Sequence, residues 1–104
     1  MRYVSIDRKD ANDAELAAIA TQLGAWIIPM RPGQGYDWTL FYRGQIYVVE
    51  IKDGDKPPSA RLLTPTETKI RRELEMRGVK YHIVENVTGL FALLGVRQQG
   101  GKKS

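Results

Sequence analysis

Two acidic residues and a lysine in the middle of the chain, Asp37, Glu50 and Lys52, can share one face of a β-hairpin. If Arg43-Gly44 forms a two-residue turn, the register places Asp37 directly opposite Glu50. Their Cβ atoms would then lie roughly 5 Å apart, and Lys52 follows on the same face. Two opposed carboxylates repel each other, which costs stability unless a cation lies between them.

A hard divalent cation such as Mg²⁺ meets that requirement, because one or two carboxylates, waters and phosphate oxygens suffice to bind it. Such an ion polarises a phosphate and lowers the pKa of a bound water. Lys52 could orient that water and stabilise negative charge on the phosphate. The pattern therefore indicates phosphodiester hydrolysis. The alternative is that Glu50, Lys52 and Asp53 are solvated charges on an edge strand, and the spacing alone leaves both readings open.

The composition limits the class of protein. A chain of 104 residues is the size of one domain, which we expect at residues 1–96, followed by a flexible basic tail at 97–104. The absence of cysteine excludes disulfides, thiolate zinc sites and a cysteine nucleophile. No stretch resembles a signal peptide or a membrane span, so we expect a cytoplasmic protein. A net charge of +4 favours polyanionic partners such as DNA.

Hydrophobic periodicity and capping signals predict an α/β domain with the element order α-β-β-β-α-β-α, in which helices flank a mixed central sheet. The start of the second long helix is the clearest signal, because Thr64 and Glu67 form a capping box. The predicted elements are a helix at 12–23, a strand at 25–28, a hairpin at 36–52, a loop at 53–60, a helix from Thr64 to about Arg77, a strand at 80–85 and a helix at 88–96.

Several segments together resemble the PD-(D/E)XK nuclease superfamily, in particular its small VRR-NUC and Holliday-junction-resolvase-like members. They are Gly35-Tyr36-Asp37, the stretch from Val48 to Gly54, the N-terminal stretch 8–16, and the segments 56–61 and 63–65. The resemblance covers residues 8 to about 94. It implies a restriction-endonuclease-like core. It also implies a bacteriophage or prophage origin, because many of these small members are encoded by bacteriophages and prophages.

The resemblance also implies roles for individual residues. The metal-binding aspartate of the family falls on Asp37, its glutamate on Glu50 and its catalytic lysine on Lys52. The glutamate of the first helix falls on Glu15, and the backbone carbonyl of Ile51 would be a further metal ligand. The literal motif is incomplete, because the residue before Asp37 is a tyrosine and not a proline.

Other residues have a functional and a structural reading. Glu67 corresponds to a position that is often Gln or Glu in the family, but its capping-box position favours a cap. The lone histidine, His82, has nothing that places it near Asp37. We expect Trp26, like Trp38 and Tyr36, to be part of the core. Five basic residues after the catalytic strand could hold phosphates: Lys56 and Arg61 in the loop, and Lys69, Arg71 and Arg72 on the helix. The three on the helix could equally form its outer face.

The leading functional hypothesis is a Mg²⁺- or Mn²⁺-dependent endodeoxyribonuclease, a hydrolase whose candidate substrates include branched or junction DNA. The alternatives are a non-catalytic DNA-binding module on the same fold, and a subunit of a recombination or packaging complex that cleaves only with its partner. We also expect a homodimer. Its interface could be the last helix, although packing on the core explains the apolar residues of this helix equally well. These residues are Leu90, Phe91, Leu93 and Leu94.

Overall fold

The fold is known from a computed structural model, which describes residues 8–97 and the side chains of residues 12–97. Within these residues, three α-helices and four strands follow one another in the predicted order. They are α1 (Arg8–Gln22), β1 (Trp26–Pro29), β2 (Trp38–Tyr42), β3 (Gln45–Ile51), a short 3-10 turn (Pro58–Arg61), α2 (Pro65–Met76), β4 (Tyr81–Val84) and α3 (Val87–Leu94). The predicted α/β class with a mixed sheet is therefore confirmed.

The predicted boundaries differ from the observed ones by a few residues. Within the described residues, α1 extends back to Arg8, four residues before the predicted start, and β1 includes Pro29 as its last residue. A 3-10 turn occupies part of the segment predicted as loop. The predicted tail lies outside the described residues, except for Arg97. Within residues 8–97, no helix has the length and apolar character needed to span a bilayer.

The sheet has the strand order β1-β2-β3-β4, and it is antiparallel except between β3 and β4. The β2–β3 hairpin has the predicted register from Trp38 opposite Val49 to Tyr42 opposite Gln45, but the predicted pair of Asp37 and Glu50 is not part of the ladder. Its tip is Arg43-Gly44, where both residues have positive φ as a type I′ turn requires. The turn therefore sets which side chains of the hairpin share a face.

One face of the sheet packs against α1 and α3 and forms the hydrophobic core. Trp38, Leu40 and Ile51 are buried there together with residues from both helices, among them Leu16, Ala20, Leu90 and Leu94. The apolar face predicted for the hairpin is therefore confirmed. Leu90 and Leu94 of α3 are core residues, which favours core packing over a subunit interface for that part of the helix.

Helix α2 lies on the opposite face and packs against β4. It begins with the predicted capping box, in which Thr64 accepts from the backbone of Glu67 and Glu67 accepts from the backbone of Thr64. Helix α2 leaves the other end of this face, at the edge strand β1, open. Trp26 on β1 is 64% exposed, so the expectation that it belongs to the core is wrong. An isolated apolar run in a sequence does not distinguish a covered strand from an open edge strand.

Candidate active site

A cleft of about 340 Å³ lies where β2 begins and β3 ends, on the α2 side of the sheet. Its walls come from α1, the loop between β1 and β2, β3 and α2. Four carboxylates line it: Asp13, Asp37, Glu50 and Glu67. The two residues predicted to bind a metal, Asp37 and Glu50, are thus brought together in one cleft.

Asp37 lies one residue outside the regular ladder, which ends at the pair Trp38–Val49. Its backbone N–H donates to the Val49 carbonyl at 3.0 Å, and its carboxylate oxygen Oδ2 accepts from the Ile51 N–H at 2.7 Å. The carboxylate therefore takes the place of a strand carbonyl and holds the end of β3. In an extended strand the N–H and C=O of one residue point to the same side, so the Ile51 carbonyl is directed toward Asp37.

Glu50 and Lys52 are both buried, at 1% and 7% exposure. The Lys52 ammonium lies 3.4 Å from Glu50 Oε2 and 2.9 Å from Glu67 Oε1. The position predicted as a helix cap thus has a second role, because Glu67 Oε1 binds both the Thr64 N–H and Lys52. A buried charge is tolerated when it is paired and hydrogen-bonded, and this network places a lysine beside the carboxylates of the cleft.

The Glu67 carboxyl is ionised over most of the pH range. Burial raises its pKa, but the hydrogen bonds from Lys52 and from the Thr64 backbone, with a further contribution from Glu50, lower the pKa by more, so that it lies below its usual value. A negative charge on Glu67 is therefore available to hold Lys52 in place.

Tyr81 fixes the loop that carries Asp37. Its buried hydroxyl donates to the Gly35 carbonyl. Burial, and the nearby negative charges of the cleft carboxylates, raise the pKa of this hydroxyl well above its usual value. Gly35 has φ +93° and lies against Ile70 of α2 so closely that a Cβ would collide with it. The sequence analysis did not single out Tyr81. Its place on the last predicted strand was a usable signal, because a tyrosine that is buried there needs a hydrogen-bond partner for its hydroxyl.

Helix α1 contributes Asp13 to the cleft and not the predicted Glu15. Asp13 Oδ1 accepts from the Trp38 indole N–H at 2.9 Å, and Asn12 donates to the Lys52 carbonyl at 3.1 Å. Glu15 is exposed and lines a separate hollow with Asp53 and other polar residues. The structure therefore does not bring Glu15 together with the cleft carboxylates.

The basic residues after β3 are only partly available for a ligand. Arg61 forms an ion pair with Glu85 at 3.0 Å, and Arg71 forms one with Glu75 at 3.4 Å. Lys69 and Arg72 are exposed on α2, and Lys56 is half-buried in the loop after β3. The cleft wall has a basic residue that the sequence did not suggest, the exposed Arg31.

His82 lies on the core side of β4, where its ring contacts that of Tyr47 with the centroids 5.6 Å apart. Burial, and the positive charge of Lys80, lower its pKa below the usual value. His82 does not line the carboxylate cleft. This agrees with the sequence analysis, which found nothing to place it near Asp37.

The oxygen donors of the cleft fit a hard divalent cation that takes few protein ligands, and they do not form a complete protein cage for a metal ion. Within residues 12–97, no group of three or more histidine, cysteine, aspartate or glutamate side chains is arranged to hold a metal ion. Mg²⁺, however, needs only one or two carboxylates, with waters and substrate oxygens as its other ligands. Asp37 and Glu50 line the cleft. The Ile51 N–H binds Asp37 Oδ2, so the Ile51 carbonyl lies on the same side of β3, and oxygens of these kinds are what such an ion uses.

The comparisons with known proteins add no relative. No protein-family model matches the sequence, and neither a curated protein nor a solved structure is significantly similar to it.

Proposed function

We propose that this protein is a Mg²⁺- or Mn²⁺-dependent endodeoxyribonuclease on a restriction-endonuclease-like core. Its active site would be the cleft lined by Asp37 and Glu50, together with Lys52, which is paired with Glu50. The observation that supports this proposal best is the buried lysine between two carboxylates, beside a second pair of carboxylates in the same cleft. Buried charges are expensive, and clusters of them in clefts are typical of catalytic sites.

The residues divide the work by position. Asp37, Glu50 and the Ile51 carbonyl would hold the cation. When bound, a divalent cation polarises the scissile phosphate and lowers the pKa of water. Lys52 donates to the attacking water or to a phosphate oxygen as negative charge develops there. Glu67 positions Lys52, and Tyr81 keeps the Asp37 loop in place through Gly35.

The test is a cleavage assay on labelled four-way junction, flap and linear duplex DNA, with Mg²⁺, Mn²⁺ or EDTA. The wild type should cut in either metal and not in EDTA, and the preferred substrate then separates a resolvase from a general endonuclease. Glu50→Gln and Lys52→Ala should lose cleavage while they retain the fold, as judged by circular dichroism. Glu73→Gln is the matched control, because it neutralises a glutamate that forms a surface ion pair with Arg77 on α2.

Two outcomes contradict the proposal. If the wild type binds DNA and cuts none of the three substrates in any metal, the chain is a binding module or a partner-dependent subunit. If Glu50→Gln and Lys52→Ala cut as fast as Glu73→Gln, the nuclease activity belongs to another site.

A further inference from the structure

An apolar stripe with an aromatic pair crosses the open part of the sheet, on the same face as the carboxylate cleft. It consists of Trp26, Phe41 and Ile46, which lie side by side on β1, β2 and β3. Trp26 and Ile46 are 64% and 68% exposed. The Trp26 and Phe41 rings stack with their centroids 5.2 Å apart at a tilt of 33°. Exposed apolar patches of this kind mark binding surfaces.

The stripe leads into the cleft. Side chains alternate along a strand, so that Trp26, Ile28 and Met30 point to the same face, and Met30 lines the cleft. Four residues of strand span about 13 Å, which is the length of about four stacked nucleotides at roughly 3.4 Å each. A nucleic-acid strand lying along β1 would therefore reach the cleft within a few nucleotides of the stripe.

A basic residue lies between the stripe and the cleft. The three stripe residues are uncharged, and the exposed Arg31 follows β1 and lines the cleft next to Met30. An unpaired nucleic-acid strand supplies both parts of a match, because its phosphates pair with arginine and its bases stack on exposed rings.

We propose that the stripe of Trp26, Phe41 and Ile46 is a docking surface for unpaired bases, which directs a single-stranded segment of the substrate toward the cleft. The inference rests on the proposed nuclease function and specifies its substrate class as DNA with an unpaired strand. Bases inside a duplex are already stacked and paired, so a duplex cannot use this surface in the same way.

The first experiment measures binding in EDTA, where no cleavage is expected, by fluorescence anisotropy with labelled oligothymidylate and with a linear duplex. Trp26→Ala should weaken oligothymidylate binding about 5- to 100-fold and leave duplex binding unchanged. Trp26→Phe retains a ring and should lose less. Met76→Ala is the matched control, because Met76 is a similarly exposed apolar residue on α2, at 70%, and it should bind as the wild type does.

Tryptophan emission gives a direct second readout. The chain has two tryptophans, of which Trp26 is exposed and Trp38 is buried. Oligothymidylate should therefore quench emission in the wild type and in Met76→Ala, and not in Trp26→Phe. Quenching that persists without Trp26 would contradict the docking surface.

A cleavage assay on flap and duplex DNA with Mg²⁺ separates the two proposals. If Trp26→Ala binds single strands as the wild type does, while Glu50→Gln abolishes cleavage, the docking inference fails and the nuclease stands. If Trp26→Ala loses single-strand binding but the wild type never cuts, the docking surface stands and the nuclease fails. If Trp26→Ala changes only the sedimentation of the protein from dimer to monomer, the stripe binds a second copy and the inference is overturned.

Discussion

Neutralising Glu67 while retaining its shape should reveal how strongly the cleft depends on the Lys52 ion pair. Glutamine suits the capping-box position as well as glutamate does, so Glu67→Gln retains an oxygen that can accept from Thr64 and from Lys52. What the variant removes is the negative charge 2.9 Å from the Lys52 ammonium. Glu50 Oε2, at 3.4 Å, remains as the other carboxylate beside this lysine.

The expected loss follows from the strength of the two kinds of hydrogen bond. A hydrogen bond to a charged group contributes about 1.5–3 kcal/mol, and a neutral one about 0.5–1.5 kcal/mol. Both partners are largely buried, so solvent screens the pair only weakly. Glu67→Gln should therefore lower the free energy of unfolding by about 1–1.5 kcal/mol at neutral pH. In a domain of this size each kcal/mol corresponds to a decrease in Tm of about 4–8 °C.

The pH dependence of this loss has a defined sign. Because the pKa of Glu67 in the folded protein lies below its usual value of 4.5, the stabilisation from its charge is fully present above that value. It is lost as the pH falls through the folded-state pKa. The difference in stability between the wild type and Glu67→Gln should therefore be constant near neutral pH and should decrease on acidification below about 4.5.

Urea denaturation over a pH series measures both effects, with Glu73→Gln as the control on the same helix. Glu73 forms an exposed i,i+4 pair with Arg77, and such pairs contribute only about 0.3–0.5 kcal/mol. If Glu67→Gln costs no more than Glu73→Gln at neutral pH, the Lys52 ion pair does not contribute the stability assigned to it. A Glu67→Gln difference that persists unchanged in acid would contradict the titration of Glu67 as its cause.

Three further predictions concern the loop, its anchor and the helix carboxylates. Gly35→Ala should lower the free energy of unfolding, measured by urea denaturation, by about 2–4 kcal/mol, because it adds a collision to the strain of a positive φ. Gly33→Ala, with φ +85° and open space around it, should lower it by only about 1–2 kcal/mol. Equal losses would show that the contact of Gly35 with Ile70 does not matter. Tyr81→Phe should cost about 1 kcal/mol. The pKa of Tyr81 is raised above its usual value of 10.0, so the stability that Tyr81 contributes is fully present below pH 10.0 and is lost at higher pH. In alkali, Tyr81→Phe should therefore lose less stability than the wild type does. Asp13→Asn should reduce metal-dependent cleavage about 10- to 100-fold and Glu15→Gln much less, and the reverse order would restore Glu15 to the site.

The hairpin was the part of the fold that the sequence specified most fully. The Arg43-Gly44 turn fixes the register through local backbone conformation, and the register fixes which side chains share a face. This is why Asp37 and Glu50 could be assigned to one face. The start of α2 was equally local, because the capping box depends on residues three positions apart.

The contacts that complete the cleft depend on the tertiary arrangement. Lys52 and Glu67 meet because the chain turns back after β3, and the capping role of Glu67 concealed this second contact. Which residue of α1 faces the cleft depends on how the helix packs, and the pattern of apolar residues does not distinguish Asp13 from Glu15. The exposure of Trp26 depends on where α2 ends over the sheet, which no local signal in β1 encodes.

The single-turnover cleavage rate as a function of Mg²⁺ concentration, for the wild type and Asp37→Asn, tests the proposed active site most directly. Asparagine can still accept from the Ile51 N–H, so the variant should remain folded while the site loses a negative charge. The wild-type rate should be zero in EDTA and should saturate with Mg²⁺, and Asp37→Asn should need far more Mg²⁺ or fail to cut. Cleavage in EDTA, identical curves for the two proteins, or no cleavage at any Mg²⁺ concentration would contradict a metal-dependent nuclease site at Asp37 and Glu50.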